Sequence, residues 1–424
     1  MVTLAAPSRL KTWMPWLVSA AILLLLPVRL NSGTALTVMS LMGIAIIFSL
    51  SYNLLLGQTG MMSFGHAVYY GLGAYFVVHA INALIAAKVG MPLPLLPLVG
   101  GFAGLAFALI FGWVSTKRSG TAFAMISLGL AELVGSSSLI LRTFFGGEEG
   151  VSTNRTQLGK LLDVNFGPQI QVYYLIAGWC LLSALAMFAL TKTPLGRMCN
   201  AVRENPERAQ FIGYNPQIVR YIAFCISGFF AGVAGGLAAI NFELANANLF
   251  SAANSGNVLL ATFIGGVGSF SGPIIGAILV SYLQIMLSDF TEVWQLYFGL
   301  MFIAVVMFAP GGIAGLLQMH RPMWKAGVLG QVVPSYLAAI IPSAMILAGL
   351  ALIVEMTVHL CVKHNEGGVM KMFGVAFNPA TLPPWGVALA LIAVGVGIFR
   401  FVSPMMSDAW DTARTRAREK GVVI

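Results

Sequence analysis

Charge is what this chain has least of. Only 9% of its 424 residues are Asp, Glu, Lys or Arg, 23 basic and 14 acidic, where soluble domains carry roughly 25%. With 58% hydrophobic residues and a mean hydropathy of +0.88, too few polar side chains remain to cover a water-facing surface. A soluble fold is thereby excluded, and a polytopic membrane protein implied. The net charge of +9 comes from a shortage of acids rather than from a basic stripe, which excludes a nucleic-acid binder. Cysteine is scarcer still. Cys180, Cys199, Cys225 and Cys361 have no C-x-x-C spacing, so neither a disulfide framework nor a metal site is read from them. Among the five histidines, His359 and His364 stand five apart with no carboxylate completing a zinc pattern. Missing too are an H-E-x-x-H, a paired-carboxylate cluster and a G-x-x-x-x-G-K-[ST] loop, the only Gly-Lys pair, Gly159-Lys160, being followed by Leu161. No catalytic residue is assigned, and the chain is not read as an enzyme.

What is present is long apolar runs. Stretches free of Lys, Arg, Asp and Glu cover 30–87, 89–116, 164–191, 221–242, 244–288, 293–320, 326–354 and 372–399. To these are added 13–28 and 120–141, the latter interrupted by Glu132 alone. About 20 apolar residues suffice for one crossing. Segment 30–87 therefore divides into spans near 35–56 and 66–87, parted by Gly57-Gln58-Thr59-Gly60 and Ser63-Phe64-Gly65. The first run lacks a small-x-small cleavage site around Pro27 and reads as a retained helix.

Orientation follows from the basic residues, which collect on the cytoplasmic side. Arg9, Lys11, Lys117, Arg118, Arg321 and Lys325, with five in 192–220 and five in 400–420, place 16 of the 23 on one face. Arg29, Lys88, Arg142, Arg155, Lys160, Lys363 and Lys371 fall on the other. Both termini are then cytoplasmic. Residues 244–288 upset the alternation, because Val258 to Gly268 is only 11 residues, about 16 Å of helix against a core of ~30 Å. A re-entrant pair turning at Gly265–Pro273 restores it, as do two strongly tilted crossings. The expected fold is all-α, with about ten transmembrane helices plus this glycine-broken pair or two more spans.

Backbone that leaves a helix at membrane depth has to be sheltered by protein or by a water-lined path. Gly57-Gln58-Thr59-Gly60-Met61-Met62-Ser63-Phe64-Gly65 resembles Gly266-Val267-Gly268-Ser269-Phe270-Ser271-Gly272 in the other half of the chain. Paired glycine interruptions point to a transport path; close helix packing is the simpler alternative. On the first reading Gly57, Gly60, Gly265, Gly266 and Gly268 admit the backbone, and Gln58, Thr59, Ser63 and Ser269 offer polar contacts. Glu132, an intramembrane acid, is either functional or a helix-to-helix hydrogen-bonding group. Gly228, Gly232 and Gly236 recur every four residues and read as a packing face.

The longest interior hydrophilic stretch on the cytoplasmic face runs from Pro194 to Pro216. Asn205-Pro206-Glu207 supplies an N-cap, a Pro at N1 and an acid in the first turn. Gly213 suits a left-handed C-cap. A capped helix outside the bilayer suggests docking to a cytoplasmic partner, where a mere connector would be shorter.

Several motifs now become recognisable. Pro194-Leu-Gly-Arg197, Ala201-x-Arg-Glu-Asn205, Ala209, Gly213 and Ala223-Phe-x-Ile-Ser-Gly-Phe-Phe-Ala-Gly232 resemble the LivM-type permeases of branched-chain amino acid ABC importers. Ser51-Tyr-Asn-Leu-Leu-Leu-Gly57, Gly71-Leu-Gly-Ala-Tyr75, Ile126-x-Leu-Gly-x-Ala-Glu132, Gly265-Gly-Val-Gly268 and Phe308-x-Pro-Gly-Gly follow in the family's order. The resemblance covers roughly 36–318. It implies an importer permease domain over 1–320 and an extension over 321–424, with further spans at 335–360 and 382–401. The basic tail is an amphipathic helix on anionic lipid or is simply solvated.

By resemblance the chain moves leucine, isoleucine or valine inward by alternating access, with urea or short amides as alternative substrates. Glu207-Arg208-Ala209-x3-Gly213 is similar to the E-A-A-x3-G loop that contacts the ATPase, although Arg208 replaces an Ala and Ile222 falls one short of the usual spacing. Coupling is accordingly placed on Arg197, Arg203, Glu204, Glu207, Ala209 and Gly213. The implied partners are a second, LivH-like permease, two ABC ATPase subunits, a periplasmic binding protein and the lipid bilayer. No cofactor is expected on this chain, and ATP and Mg belong to the ATPases. The implied location is the bacterial inner membrane. An ion- or proton-coupled secondary transporter using Glu132 is the alternative; it would need more intramembrane ionisable groups and no docking loop.

Overall fold

A computed structural model describes residues 9–158, 165–361, 370–372 and 375–420. Lys160, Lys363 and His364 lie outside the described residues. The helices, in chain order, are α1 (Arg9–Arg29), α2 (Gly33–Thr59), α3 (Ala67–Ala86), α4 (Leu96–Ser115), α5 (Thr121–Ile140), the single turn α6 (Arg142–Phe145), α7 (Gln169–Lys192), α8 (Pro194–Glu204) and α9 (Pro206–Phe211). They continue with α10 (Pro216–Phe242), α11 (Ala252–Gly265), α12 (Ser271–Phe290), α13 (Trp294–Phe308), α14 (Gly312–Lys325), α15 (Val333–Cys361) and α16 (Leu382–Glu419). Besides short 3-10 turns there are two short antiparallel pairs, β1 (Val151–Ser152) with β2 (Leu244–Ala245), and β3 (Met370–Met372) with β4 (Val375–Phe377). The chain is thus an all-α polytopic membrane protein. Nine described helices are long and apolar enough to cross a membrane, ten if α13 and α14 count as one bent span.

Two expected spans differ from what is observed. Residues 293–320 are not one helix, because Pro310 lacks an N–H and disfavours helical backbone at Ala309, which stands at φ −138°, ψ 66°. The glycine-broken pair is asymmetric. Its first arm, α11, has 14 residues, whereas α12 has 20 and reaches spanning length.

Two compact units divide the chain, Met1–Gly315 and Leu316–Ile424. In the first, α10 is the hub, packed against α2, α3 and α4, with 83% of its most apolar stretch buried. Its glycine face permits this. A side chain at Gly232 would stand 2.2 Å from the Gly100 carbonyl, and one at Gly104 2.3 Å from that of Gly228. Arg155, counted above as a loop cation, is instead nearly buried and closes the C-terminal end of α10. Its guanidinium donates to the carbonyls of Ile240 (2.9 Å), Asn241 (3.1 Å) and Phe166 (2.8 Å), beside Glu243 at 3.9 Å. One cation, paired with Glu243, thereby satisfies carbonyls that a helix end leaves orphaned.

In the second unit α15 and α16 pack antiparallel, Gly349 against Ala388 and Ile392, and Gly395 against Pro342 and Ile346. The basic tail is helical and continues α16 as one 38-residue helix. Ala413 and Ala417 are fully buried against Met323, Val328 and Val332, and Lys420 Nζ donates to the Ala326 carbonyl (2.9 Å). Small residues four apart make that close seat available.

Candidate functional site

The first glycine break begins later than its sequence suggests. Gly57, Gln58 and Thr59 complete the last turn of α2, and Gly60 ends it at φ +72°. The Gly60 N–H bonds to Leu56 O (3.0 Å) and the Met61 N–H to Leu55 O (3.2 Å), the paired closure that a left-handed residue allows. Non-helical backbone then runs from Gly60 to His66. It is sheltered as required: Ser127 of α5 accepts from the Phe64 N–H and Ser255 of α11 from the Ala67 N–H, both at 3.0 Å. His66 Nε2 lies 2.9 Å from Ser51 Oγ, whose own proton goes to Phe48 O. Nε2 must therefore carry the hydrogen, and Nδ1 is a buried acceptor without a partner among the described residues.

The second break, Gly266 to Phe270, is brought against the first. Asn53, one turn before Gly57, donates through Nδ2 to Ser269 O (3.2 Å) and accepts at Oδ1 from the Gly268 N–H (3.3 Å). A single amide thus satisfies both a free donor and a free acceptor of the broken chain. Gly266 and Gly268 have φ of +121° and +86°, and a side chain at Gly266 would stand 2.4 Å from the Gly311 carbonyl. The Pro310-Gly311-Gly312 turn consequently underlies this break. Ser269 Oγ is used locally, accepting from the Gly272 N–H (3.0 Å) at the start of α12. Gly265 is a packing residue, since a side chain there would meet Gly272 O at 1.9 Å.

A third element reaches the same point. Arg203 of α8 donates through Nη1 to Gly57 O, a last-turn carbonyl that α2 itself leaves unpaired. A side chain at Gly60 would lie 3.1 Å from Arg203 Cγ, and one at Gly268 3.4 Å from its Nη1. The cation at the negative end of the α2 dipole adds to the bond. The extramembrane helix therefore touches both glycine breaks through one side chain.

The hydrophilic segment forms two helices where one was expected. Thr193 caps α8, and Asn205 caps α9 by accepting from the Arg208 N–H at 2.8 Å, with Pro206 at N1 and Glu207 in the first turn. Ala209 is buried with Cys199, Val202, Val219 and Ala223, which seats both helices on the start of α10. Burial in this seat pushes the Cys199 thiol up to about 11. Gly213 turns the chain at φ +95° with open space around it. Arg197 borders a cavity of about 310 Å³ with Met198, Ile212 and Tyr214, while Glu204 and Glu207 are exposed. Phe211, at 91% exposure, and Ile212, at 70%, leave an apolar patch open at the tip.

Not every expected residue converges here. Gln58 is buried toward Leu190, Leu195 and Cys199 rather than toward Gly268. The Thr59 hydroxyl bonds within its own helix, to Leu55 O. Ser63 is buried, and its hydroxyl has no partner among the described residues. Glu132 sits on the exposed face of α5. Asn53 was missed, although it stands one turn from Gly57, and so was a largely apolar cavity of about 410 Å³ with a few polar side chains along the other half of α2. Its Asn254, Asn257, Ser281 and Gln284 repeat at helical spacing within uncharged runs, where nothing local marks them. Among the described residues, no three His, Cys, Asp or Glu side chains gather as metal ligands.

Apolar spans, two sheltered breaks between helices, and a helix whose Arg203 bonds the end of α2 are the features of a membrane transport protein. The chain belongs to the family described as branched-chain amino acid transport system / permease component, whose model matches residues 34–310. It is 29% identical to the high-affinity branched-chain amino acid transport system permease protein LivM of Salmonella typhimurium, over 66% of this chain and 69% of that protein. It is 28% identical to LivM of Escherichia coli (70% and 73%) and 26% identical to the permease protein LivH of Salmonella typhimurium (65% and 92%). No solved structure matches the chain.

Proposed function

We propose that the chain is the LivM-like permease of an ATP-binding cassette importer, moving branched-chain amino acids inward across the bacterial inner membrane. The observation that carries this reading is the Arg203–Gly57 bond, which ties an extramembrane helix to the place where both glycine breaks meet. A partner that pulls on α8 would move those breaks directly, as alternating access requires. The exposed Phe211 and Ile212 are the apolar surface such a partner would cover. Two ATPase subunits hold the ATP and Mg, a second, LivH-like permease completes the path, and a periplasmic binding protein delivers the solute. Both termini then lie in the cytoplasm. Urea or a short amide remains the within-family alternative to leucine.

Support for the ion-coupled reading is thinner, because Glu132, the acid it needs, is on the outer face of α5. Reconstitution with the co-eluting ATPases, the second permease and the binding protein tests the proposal. Uptake of tritiated leucine should require ATP and persist when the proton gradient is collapsed. Uptake that follows the gradient and ignores ATP would refute it.

A further inference from the structure

The cavity of about 410 Å³ lies beside α2, α11 and α12, toward the end of α2 away from Arg203. Leu50, Tyr52, Leu55 and Leu56, all buried, separate it from Gly57. Its lining has two chemistries. On α2, Leu41, Ile44, Ala45 and Phe48 stand at i, i+3, i+4 and i+7 and present an apolar face. Asn254 and Asn257 on α11, with Ser281 and Gln284 on α12, present uncharged polar groups to the same space. Among the described residues, no acidic or basic residue and no histidine lines it.

The polar groups are not all explained by the fold. Asn254 commits its amide N–H to Asn248 O (2.9 Å) and Leu249 O (3.4 Å). Asn257 and Gln284, both half-buried, have no hydrogen-bond partner among the described residues, though each brings two donors and an acceptor to the cavity wall. An amide left unpaired there is costly, and an acyl chain offers it nothing. Water or a polar solute has to complete it.

Resting on the permease reading, we infer that this cavity is the solute-binding vestibule of the transport path. It takes a small neutral or zwitterionic molecule with an apolar end. Asn257 and Gln284 bond the polar end, and Ile44 and Phe48 pack the apolar one. The volume falls within the ~300–1,000 Å³ of small-molecule sites. A solute of net charge would be desolvated here with no counter-ion, so the vestibule disfavours it.

Tritiated leucine uptake in vesicles holding the assembled complex is the readout. Asn257→Leu and Gln284→Leu should each slow it about tenfold, the loss expected for hydrogen bonds left unmade at a desolvated site. Gln284→Asn should keep most of the activity, and Ala45→Phe, which fills the cavity from a half-buried position, should abolish uptake without loss of subunits. Wild-type rates in both leucine variants and in Ala45→Phe would overturn the inference while leaving the permease reading intact. A wild-type complex that fails to move leucine would instead sink the permease reading for that substrate.

Discussion

Replacing Arg203 by Met removes the one bond that joins α8 to the end of α2 while keeping an apolar stem over Gly60. A hydrogen bond to a charged group contributes about 1.5–3 kcal/mol. The low end applies, because Arg203 is exposed along much of its length and solvent competes for its guanidinium. At about 1.5–2 kcal/mol the docked arrangement of α8 loses about 10- to 30-fold in population. If that docking transmits ATPase motion, the ratio of substrate-stimulated to basal ATP hydrolysis in reconstituted complexes should fall by a comparable factor. Arg203→Lys should fall between, since an ammonium reaches the carbonyl with the charge but without the planar fork. The assay is phosphate release with and without liganded binding protein, on complexes checked for full subunit content. A wild-type ratio in Arg203→Met, with every subunit bound, would show that the Arg203–Gly57 contact plays no part in coupling.

Gly213→Val should abolish stimulated ATP hydrolysis and Glu207→Ala only reduce it. Valine at φ +95° costs about 1–3 kcal/mol of backbone strain, whereas the exposed first-turn acid is worth ~0.3–1 kcal/mol at most. Equal activities in the two variants would count against a rigid docking turn. Gly60→Leu and Gly268→Leu should both block leucine uptake with the complex assembled, because either side chain meets Arg203 and adopts a positive φ; normal uptake in both would make the breaks packing features only. For topology, cysteines replacing Glu149 and Phe290 should label from the periplasm, and those replacing Gln210 and Arg418 should not. Position 155 is unsuitable for this test, since Arg155 holds the end of α10. Labelling of 210 from outside would invert the orientation.

Composition alone established the class of this protein, because 9% charge over 424 residues cannot clothe a soluble surface. Features set within one helical turn were legible for the same local reason. Asn205-Pro206-Glu207 announces the start of α9, and Gly60 and Gly213 adopt the left-handed conformations that glycine tolerates. The ordered motifs from Ser51 to Gly312 carried the family without any geometry.

What joins these pieces was decided only in three dimensions. Arg203 and Gly57 are 146 residues apart, and Asn53 and Ser269 are 216 apart. No local rule pairs them; the packing of α2, α8, α11 and α10 does. The same holds for Arg155, a loop cation until the chain folds it onto the α10 carbonyls, and for Ala413 and Ala417, whose burial depends on Met323 lying beside them. The vestibule is the clearest case. In an apolar run an Asn or Gln carries no charge to mark it, and only the meeting of α11 with α12 shows that Asn257 and Gln284 face one space. Sequence determines which segments leave water and where their helices stop, since those choices are local; which faces then meet depends on packing that only the assembled bundle provides.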